Sequence, residues 1–289
     1  MLVPGDPPLD QPDADAVPDG TDVQPQRFRL TSDARAEAAD RRRLDQDLRH
    51  ALAQGQFVLH FQPRVAVGTG RPVGAEALIR WPHRKRGMVS PATFLPVAER
   101  SGLITRIGAW VVQTACTEAM TWPARCSVSV NVSARQLVDA ALLDHVAAAL
   151  DASGLPPERL ELELAESMLV DVGLDTLLTL SAVRDLGVGV ALDDFGTGYA
   201  SLASLKRLPL TVLKLDRSLV RGLPDDAEDR AIVRAVIEAG HALGLTIVAE
   251  GIETEAQRVF LAECGCDEAQ GYLFSHPLPT ERLRIRLIG

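Results

Sequence analysis

Short polar motifs lie at or near the ends of seven apolar runs in this 289-residue chain. An acid buried at the end of an apolar strand is costly unless it meets a cation or a hydrogen-bond partner. Acids repeated at successive strand ends therefore imply that the ends converge on one site. In chain order the motifs are Ala75-Glu76-Ala77-Leu78, Val130-Asn131-Val132-Ser133, Glu161-Leu162-Glu163, Leu192-Asp193-Asp194-Phe195-Gly196, Leu213-Lys214-Leu215-Asp216, Ala249-Glu250-Gly251 and Ala269-Gln270-Gly271.

Strand-like and helix-like stretches alternate from Phe57 to the C-terminus, which indicates βαβ units. The predicted strands are Phe57–Val65, Val73–Trp81, Cys126–Val132, Leu160–Ala165, Val188–Asp193, Val212–Asp216, Leu245–Glu250 and Glu268–Tyr272. A closed barrel collects functional residues from many strand ends, whereas an open doubly wound sheet gathers them at one switch point. The even distribution predicts an α/β fold, a modified TIM-type (β/α)8 barrel. The hairpin from Phe57 to Trp81 predicts an antiparallel first strand.

Three segments are predicted along the chain. Residues 1–31 are rich in Pro and Asp and read as a disordered segment or an interdomain remnant. Residues 32–54 show helical spacing of Leu44, Leu48 and Leu52 and are predicted to form a linker or entry helix. Residues 55–289 form the barrel.

Composition excludes several classes of protein. A formal charge of −9 without a dense Lys/Arg tract argues against a binder of nucleic-acid polymers. No apolar stretch approaches the roughly 20 residues of a membrane helix, and the N-terminus lacks the pattern of a secretion signal. The spacing of the four cysteines fits buried thiols better than a zinc site. We therefore expect a cytoplasmic protein.

Oxygen ligands without Cys or His select hard cations, so Mg²⁺ or Mn²⁺ is favoured over Zn²⁺ or Cu²⁺. Two such ions about 3.5–4 Å apart, bridged by a shared carboxylate, promote attack of water on a phosphate ester. Lys214 is expected to orient that water, and the planar guanidinium of Arg80 suits a phosphate contact. The candidate ligands are Glu76, Asn131, Glu163, Asp193, Asp194 and Glu250.

Residues from about Leu44 to Leu283 resemble an EAL domain, the bacterial phosphodiesterase that hydrolyses cyclic di-GMP. The motifs that carry the resemblance are Phe61-Gln62-Pro63, Glu76-Ala77-Leu78, Asn131-Val132-Ser133, Asp193-Asp194-Phe195-Gly196-Thr197-Gly198-Tyr199, Leu213-Lys214-Leu215-Asp216, Ala249-Glu250-Gly251-Ile252-Glu253-Thr254 and Gln270-Gly271-Tyr272-Leu273-Phe274. The resemblance implies a barrel that opens one phosphodiester bond to give linear pGpG, with two Mg²⁺ or Mn²⁺ ions held by the six candidate ligands.

The resemblance also implies individual roles. Glu250 would be the general base, and Lys214 would coordinate the attacking water. The loop Asp194–Ser201 would be anchored by Glu253. The ligand contacts would be Gln62, Leu78 and Arg80, with Gln270 completing the site.

Two positions depart from the family's pattern. Ala165 stands where the family usually has threonine, so a hydroxyl behind the metal ligands is missing. Loss of such a group can cost 10–100-fold in metal affinity or rate. Ala200 replaces a frequent serine. The alternative function is therefore a catalytically weak cyclic di-GMP receptor or a protein-interaction module.

Other expectations concern partners and simpler readings of single motifs. The family implies a homodimer, and the run Gln26–Leu30 resembles a linker after an upstream sensor or GGDEF domain. Taken singly, Glu76 could be a solvated acid and Asn131 the N-cap of a helix at Ala134–Leu137. Glu161 and Glu163 could alternate outward on an edge strand.

Overall fold

The alternation of strands and helices is present in the computed structural model, which describes residues 32–169, 173–198 and 202–288. The strands are β1 (Val58–Ala66), β2 (Pro72–His83), β3 (Gly87–Val89), β4 (Ser127–Val132), β5 (Leu160–Ala165), β6 (Gly189–Phe195), β7 (Val212–Leu215), β8 (Thr246–Ala249), β9 (Glu268–Ala269) and β10 (Leu278–Pro279). The helices are α1 (Ser32–Ala53), α2 (Pro91–Ser101), α3 (Leu103–Ala119), α4 (Ala134–Leu137), α5 (Ala141–Ser153), α6 (Leu174–Asp185), α7 (Leu202–Leu205), α8 (Arg217–Val220), α9 (Ala227–Ala242), α10 (Glu255–Glu263) and α11 (Thr280–Ile288).

Eight strands close into a ring in the order β1-β9-β8-β7-β6-β5-β4-β2, with β2 pairing back to β1. Strand β2 is parallel to β4, and each of the strands from β4 to β9 is parallel to the next. Strand β1 is antiparallel to both β2 and β9. Strands β3 and β10 pair with β2 and β1 outside the ring. The predicted barrel with an antiparallel first strand is confirmed.

Strand β5 shows how the barrel is filled. Its leucines Leu160, Leu162 and Leu164 belong to the hydrophobic core shared with α3 and α5. The alternate residues Glu161 and Glu163 point into the barrel, where they form ion pairs. Because β5 lies between β4 and β6 and Glu163 has no exposed surface, the edge-strand reading of these acids is excluded.

A buried ion cluster centred on Arg64 lies at the amino-terminal end of the barrel. Arg64 of β1 pairs with Glu161 of β5 at 2.6 Å and with Glu268 of β9 at 2.6 Å, and it donates a hydrogen bond to Ser127 Oγ of β4. Burial would lower the pKa of Arg64, but the two glutamates outweigh that effect and raise it. The guanidinium therefore stays charged and ties four strands together across the barrel.

The main differences from the predicted elements are short segments. Strand β9 ends at Ala269 rather than Tyr272, because Gly271 packs directly on the backbone of Ile252, where a Cβ atom would lie 2.2 Å from the carbonyl oxygen. Helix α8 and strand β3 were not predicted. The segment 1–31 and the loop residues Tyr199–Ser201 lie outside the described residues.

Helix α1 takes part in the core through its carboxyl-terminal half. Leu44, Leu48 and Ala51 are buried in the same cluster as the barrel strands. The chain divides into two compact units between Asp40 and Arg41, within the predicted entry helix. The barrel belongs to the second unit. No described helix has the length and apolar character needed to cross a membrane.

Candidate active site

Lys214 of β7 is the centre of the acidic cluster. Its ammonium lies 2.9 Å from Glu163 Oε1, 3.1 Å from Asp193 Oδ1 and 2.7 Å from Glu250 Oε1. Lys214 and Glu163 are fully buried. Burial alone would lower the pKa of Lys214, but the surrounding carboxylates raise it well above its usual value. Lys214 is therefore a permanent cation, and the reading of Lys214 as a surface side chain is excluded.

Glu76 of β2 is held by two amides, one on each carboxylate oxygen. Asn131 Nδ2 of β4 donates to Oε1 at 2.7 Å, and Gln270 Nε2 donates to Oε2 at 2.7 Å. Glu76 is buried, so it is not the solvated acid that its motif alone allows. Asn131 does not cap α4, since Ser133 is the N-cap and forms a capping box with Gln136.

Asp193 and Asp194 both face the site although they are adjacent in sequence. In a regular strand neighbouring side chains point to opposite faces. Here the pairing of β6 with β7 shifts register between Leu192 and Phe195, and Asp194 has a positive φ of 59°. A positive φ is uncommon outside glycine, and aspartate tolerates it better than most residues. Carboxylate oxygens of Asp193, Asp194 and Glu250 lie within 4.8 Å of one another.

The loop after Asp194 is held by Glu166, a residue for which no separate role was predicted. Its Oε2 accepts hydrogen bonds from the backbone N–H of Gly196 at 2.9 Å and of Thr197 at 3.1 Å. Glu166 is buried just after β5, and it was visible in sequence as the second glutamate of the Glu163-Leu164-Ala165-Glu166 motif. Glu253 is exposed, and its anchoring role stays a prediction.

Burial perturbs the pKa of the site's acids. It raises the pKa of Glu163 well above its usual value, against the opposing effect of Lys214. Burial, with repulsion from Asp193 and Glu76, raises the pKa of Glu250 to about 7. Desolvation and repulsion from Asp193 also raise the pKa of Asp194. Clusters of raised carboxylate pKa values are typical of functional sites.

The charge of the cluster fits divalent cations. When all are ionised, the five carboxylates of Glu76, Glu163, Asp193, Asp194 and Glu250 together with the ammonium group of Lys214 carry a net four negative charges. Two divalent cations would neutralise that charge. Glu163 Oε2 is buried and accepts no hydrogen bond from any residue that the structure describes. An orphaned buried oxygen in an all-oxygen donor set matches the ligands that Mg²⁺ and Mn²⁺ prefer.

The predicted ligand-contact residues line two cavities beside the acids. One cavity, of about 220 Å³, is bordered by Gln62, Leu78 and Gln270 together with Glu76 and Glu250. The other, of about 260 Å³, is mainly apolar and lies between β2, β4, α2 and α3, with Leu78 and Arg80 in its wall.

Gln62 is already partnered in the free protein. Its Nε2 donates to the Ser275 carbonyl at 3.1 Å, and its Oε1 accepts from Gln270 Nε2 at 3.1 Å. The chain of contacts from Ser275 through Gln62 and Gln270 to Glu76 fixes the orientation of the Gln270 amide. Gln62 therefore positions Gln270, and its predicted contact with the ligand stays a prediction.

Comparison with known proteins identifies relatives over most of the chain. Residues 45–277 match the EAL domain. The chain is 44% identical over 256 residues to the bifunctional diguanylate cyclase/cyclic di-GMP phosphodiesterase MucR of Pseudomonas aeruginosa, covering 87% of this chain and 37% of MucR. It is 42% identical over 244 residues to the cyclic di-GMP phosphodiesterase NbdA of the same organism, covering 83% of this chain and 31% of NbdA.

A solved structure supports the same relationship. The PaMucR phosphodiesterase in complex with c-di-GMP aligns with a TM-score of 0.78 at 45% identity, covering 83% of this chain and 99% of that one. The chain spans about a third of the length of MucR and NbdA. With a match over residues 45–277 and nearly complete coverage of that solved domain, the chain belongs to the EAL domain family.

Proposed function

We propose that this chain hydrolyses cyclic di-GMP to linear pGpG in a reaction that requires Mg²⁺ or Mn²⁺. The observation that carries the proposal is the cluster of five carboxylates around Lys214, of which those of Glu76, Glu163 and Asp193 are buried. Support for the substrate comes from the cyclic di-GMP phosphodiesterases MucR and NbdA, to which the chain is similar, and from the c-di-GMP complex of the PaMucR domain.

The metal-holding residues in this proposal are Glu76, Asn131, Glu163, Asp193, Asp194 and Glu250. Two bound divalent ions supply a water of lowered pKa and neutralise charge on the phosphate being attacked. Asn131 and Gln270 keep the Glu76 carboxylate in one orientation through their hydrogen bonds. Glu166 keeps the backbone after Asp194 in place.

Glu250 is the proposed general base. Lys214 cannot accept a proton at neutral pH, because its neighbours raise its pKa well above its usual value. The Glu250 side chain retains partial exposure, so water reaches it. Lys214 holds Glu250 in position at 2.7 Å and places positive charge beside the attacking water.

A catalytically weak receptor for the same ligand is the alternative function, and Ala165 favours it. In the sheet, Ala165 of β5 lies opposite Asp193 of β6. The alanine offers no hydroxyl to the acids on the neighbouring strand, and loss of such support lowers metal affinity or rate. The alternative predicts saturable binding of cyclic di-GMP without product.

Product analysis separates the two functions. The protein is incubated with cyclic di-GMP and Mn²⁺ or Mg²⁺, with an EDTA control, and nucleotides are resolved by chromatography. We expect pGpG to form only with metal, and Glu76→Gln and Glu250→Gln to abolish it. The matched control is Glu263→Gln, an exposed glutamate at the end of α10. Binding without pGpG would select the receptor, and absence of both would refute the proposed ligand.

The assembly of the chain is a separate proposal. By resemblance to the family we infer a homodimer and an upstream sensor or GGDEF domain in the longer relatives. Sedimentation velocity across a concentration series tests the dimer, and a single species with the mass of one chain at every concentration would refute it.

A further inference from the structure

Tyr272 presents an aromatic ring at the rim of the active-site cavity. The residue is 58% exposed. It lines the same cavity of about 220 Å³ as Glu76, Glu250 and Gln270.

His276 covers one face of the Tyr272 ring. The two ring centroids are 4.0 Å apart, and the planes are inclined by 36°. Since the histidine occupies one face and the residue remains largely exposed, the opposite face is open. A stacked pair with one open face is ready to receive a third ring, because aromatic rings associate favourably in offset arrangements.

The turn that carries Tyr272 is fixed from two sides. Ile252 N–H donates to the Gln270 carbonyl at 3.1 Å, and Leu273 N–H donates to the Ile252 carbonyl at 3.0 Å. At Gly271 any side chain would collide with the Ile252 backbone, so the turn and the loop after β8 pack in direct contact. Gln62 holds the far side of the turn through the Ser275 carbonyl. The ring is therefore placed before a ligand arrives, which reduces the entropy lost on binding.

We propose that Tyr272, supported by His276, is a stacking platform for one guanine base of the cyclic dinucleotide. This inference rests on the proposed function and adds a substrate-positioning residue to it. Tyr272 lines the same cavity as the Glu76 and Glu250 carboxylates, so a base stacked on the ring lies in the cavity that these two acids border. Stacking is independent of base-edge hydrogen bonds because every nucleobase has a π-face.

Steady-state kinetics with cyclic di-GMP tests the proposal with the variants Tyr272→Ala, Tyr272→Phe and His276→Ala. We expect Tyr272→Ala to raise KM by about 5- to 100-fold, the range of a lost base–aromatic stack. We expect kcat to change by less than about threefold, since the ring touches the base and not the reacting atoms. Tyr272→Phe keeps the ring and restores a KM close to that of the parent protein. His276→Ala gives an intermediate rise.

Two further measurements exclude a structural explanation. Mn²⁺ affinity, from titration calorimetry without nucleotide, and the melting temperature should be the same in all four proteins. A Tyr272→Ala variant with unchanged KM overturns the stacking platform. An equal rise in KM in Tyr272→Ala and Tyr272→Phe also overturns it, because the effect would then belong to the hydroxyl. If the parent protein binds without turnover, the dissociation constant replaces KM. If it neither binds nor cleaves cyclic di-GMP, the proposed function fails first.

Discussion

Removing the charge of Glu250 should stabilise the metal-free protein. Its pKa is raised from an ordinary 4.5 to about 7 in the fold. A carboxyl whose pKa is raised by folding binds its proton more tightly in the folded state, so its ionisation reduces stability as pH rises from about 4.5 to 7. A shift of that size corresponds to about 3 kcal/mol at pH 8.5. Glu250→Gln removes this cost and keeps a carbonyl oxygen facing Lys214.

The assay is urea denaturation in EDTA at two pH values. At pH 8.5 we expect Glu250→Gln to be more stable than the parent by about 3 kcal/mol, or roughly 6–12 °C in melting temperature for a domain of this size. At pH 5.5 the Glu250 carboxyl is already mostly protonated in the folded protein, so the difference should fall to about half. The exposed-site control Glu263→Gln should match the parent at both pH values.

Bound metal should reduce or reverse the difference in unfolding free energy between Glu250→Gln and the parent protein. A ligand that binds only the folded state stabilises it in proportion to the logarithm of its concentration over Kd. The parent protein keeps all five carboxylates and should therefore gain more from excess Mn²⁺ than Glu250→Gln does. A Glu250→Gln protein no more stable than the parent in EDTA at pH 8.5 would refute the reasoning, as would a difference that grows when the pH is lowered.

Three other predictions follow from single contacts. Glu166→Gln should lower Mn²⁺ affinity by about tenfold or more, because the loop beside the metal ligands loses its charged anchor; unchanged affinity in titration calorimetry contradicts this. Ala165→Thr should raise Mn²⁺ affinity or kcat by up to about tenfold, and a fall in both would refute it. In native alkylation followed by mass spectrometry, partly exposed Cys264 should react first, because burial raises the thiol pKa of Cys116 and Cys266 to about 12. Early modification of Cys116 would contradict it.

The barrel was predictable because its strands show an apolar residue pattern and carry polar motifs at or near their ends. Strand β5 has the predicted bounds, Leu160–Ala165, since its leucines alternate with inward-facing glutamates. The end of β9 was not predictable, because the chain turns where Gly271 meets the backbone of Ile252, more than 15 residues away in sequence. One-turn elements such as α8 carry too few residues to show a period.

The candidate site was predictable in its residues but not in its contacts. Residue type and strand-end position indicated the acids, because parallel strands bring their carboxyl ends to one edge. The positive φ of Asp194 depends on the register shift in β6, which no local pattern reports. The triple contact of Lys214 needs the packing of three separate strands, and the hydrogen bonds of Glu166 need a folded loop.

Lys214 explains how the barrel can close around so many acids before any ion is bound. A buried charge that loses its partner destabilises a protein by about 3–5 kcal/mol, and Glu163 has no exposed surface through which water could replace one. The ammonium supplies a covalently attached cation to Glu163, Asp193 and Glu250 at once. The carboxylate charge that Lys214 does not neutralise remains available to bind exchangeable cations. Because this internal cation is part of the chain, we expect folding and metal binding to be separable and the effect of Glu250→Gln to be measurable on a folded, metal-free protein.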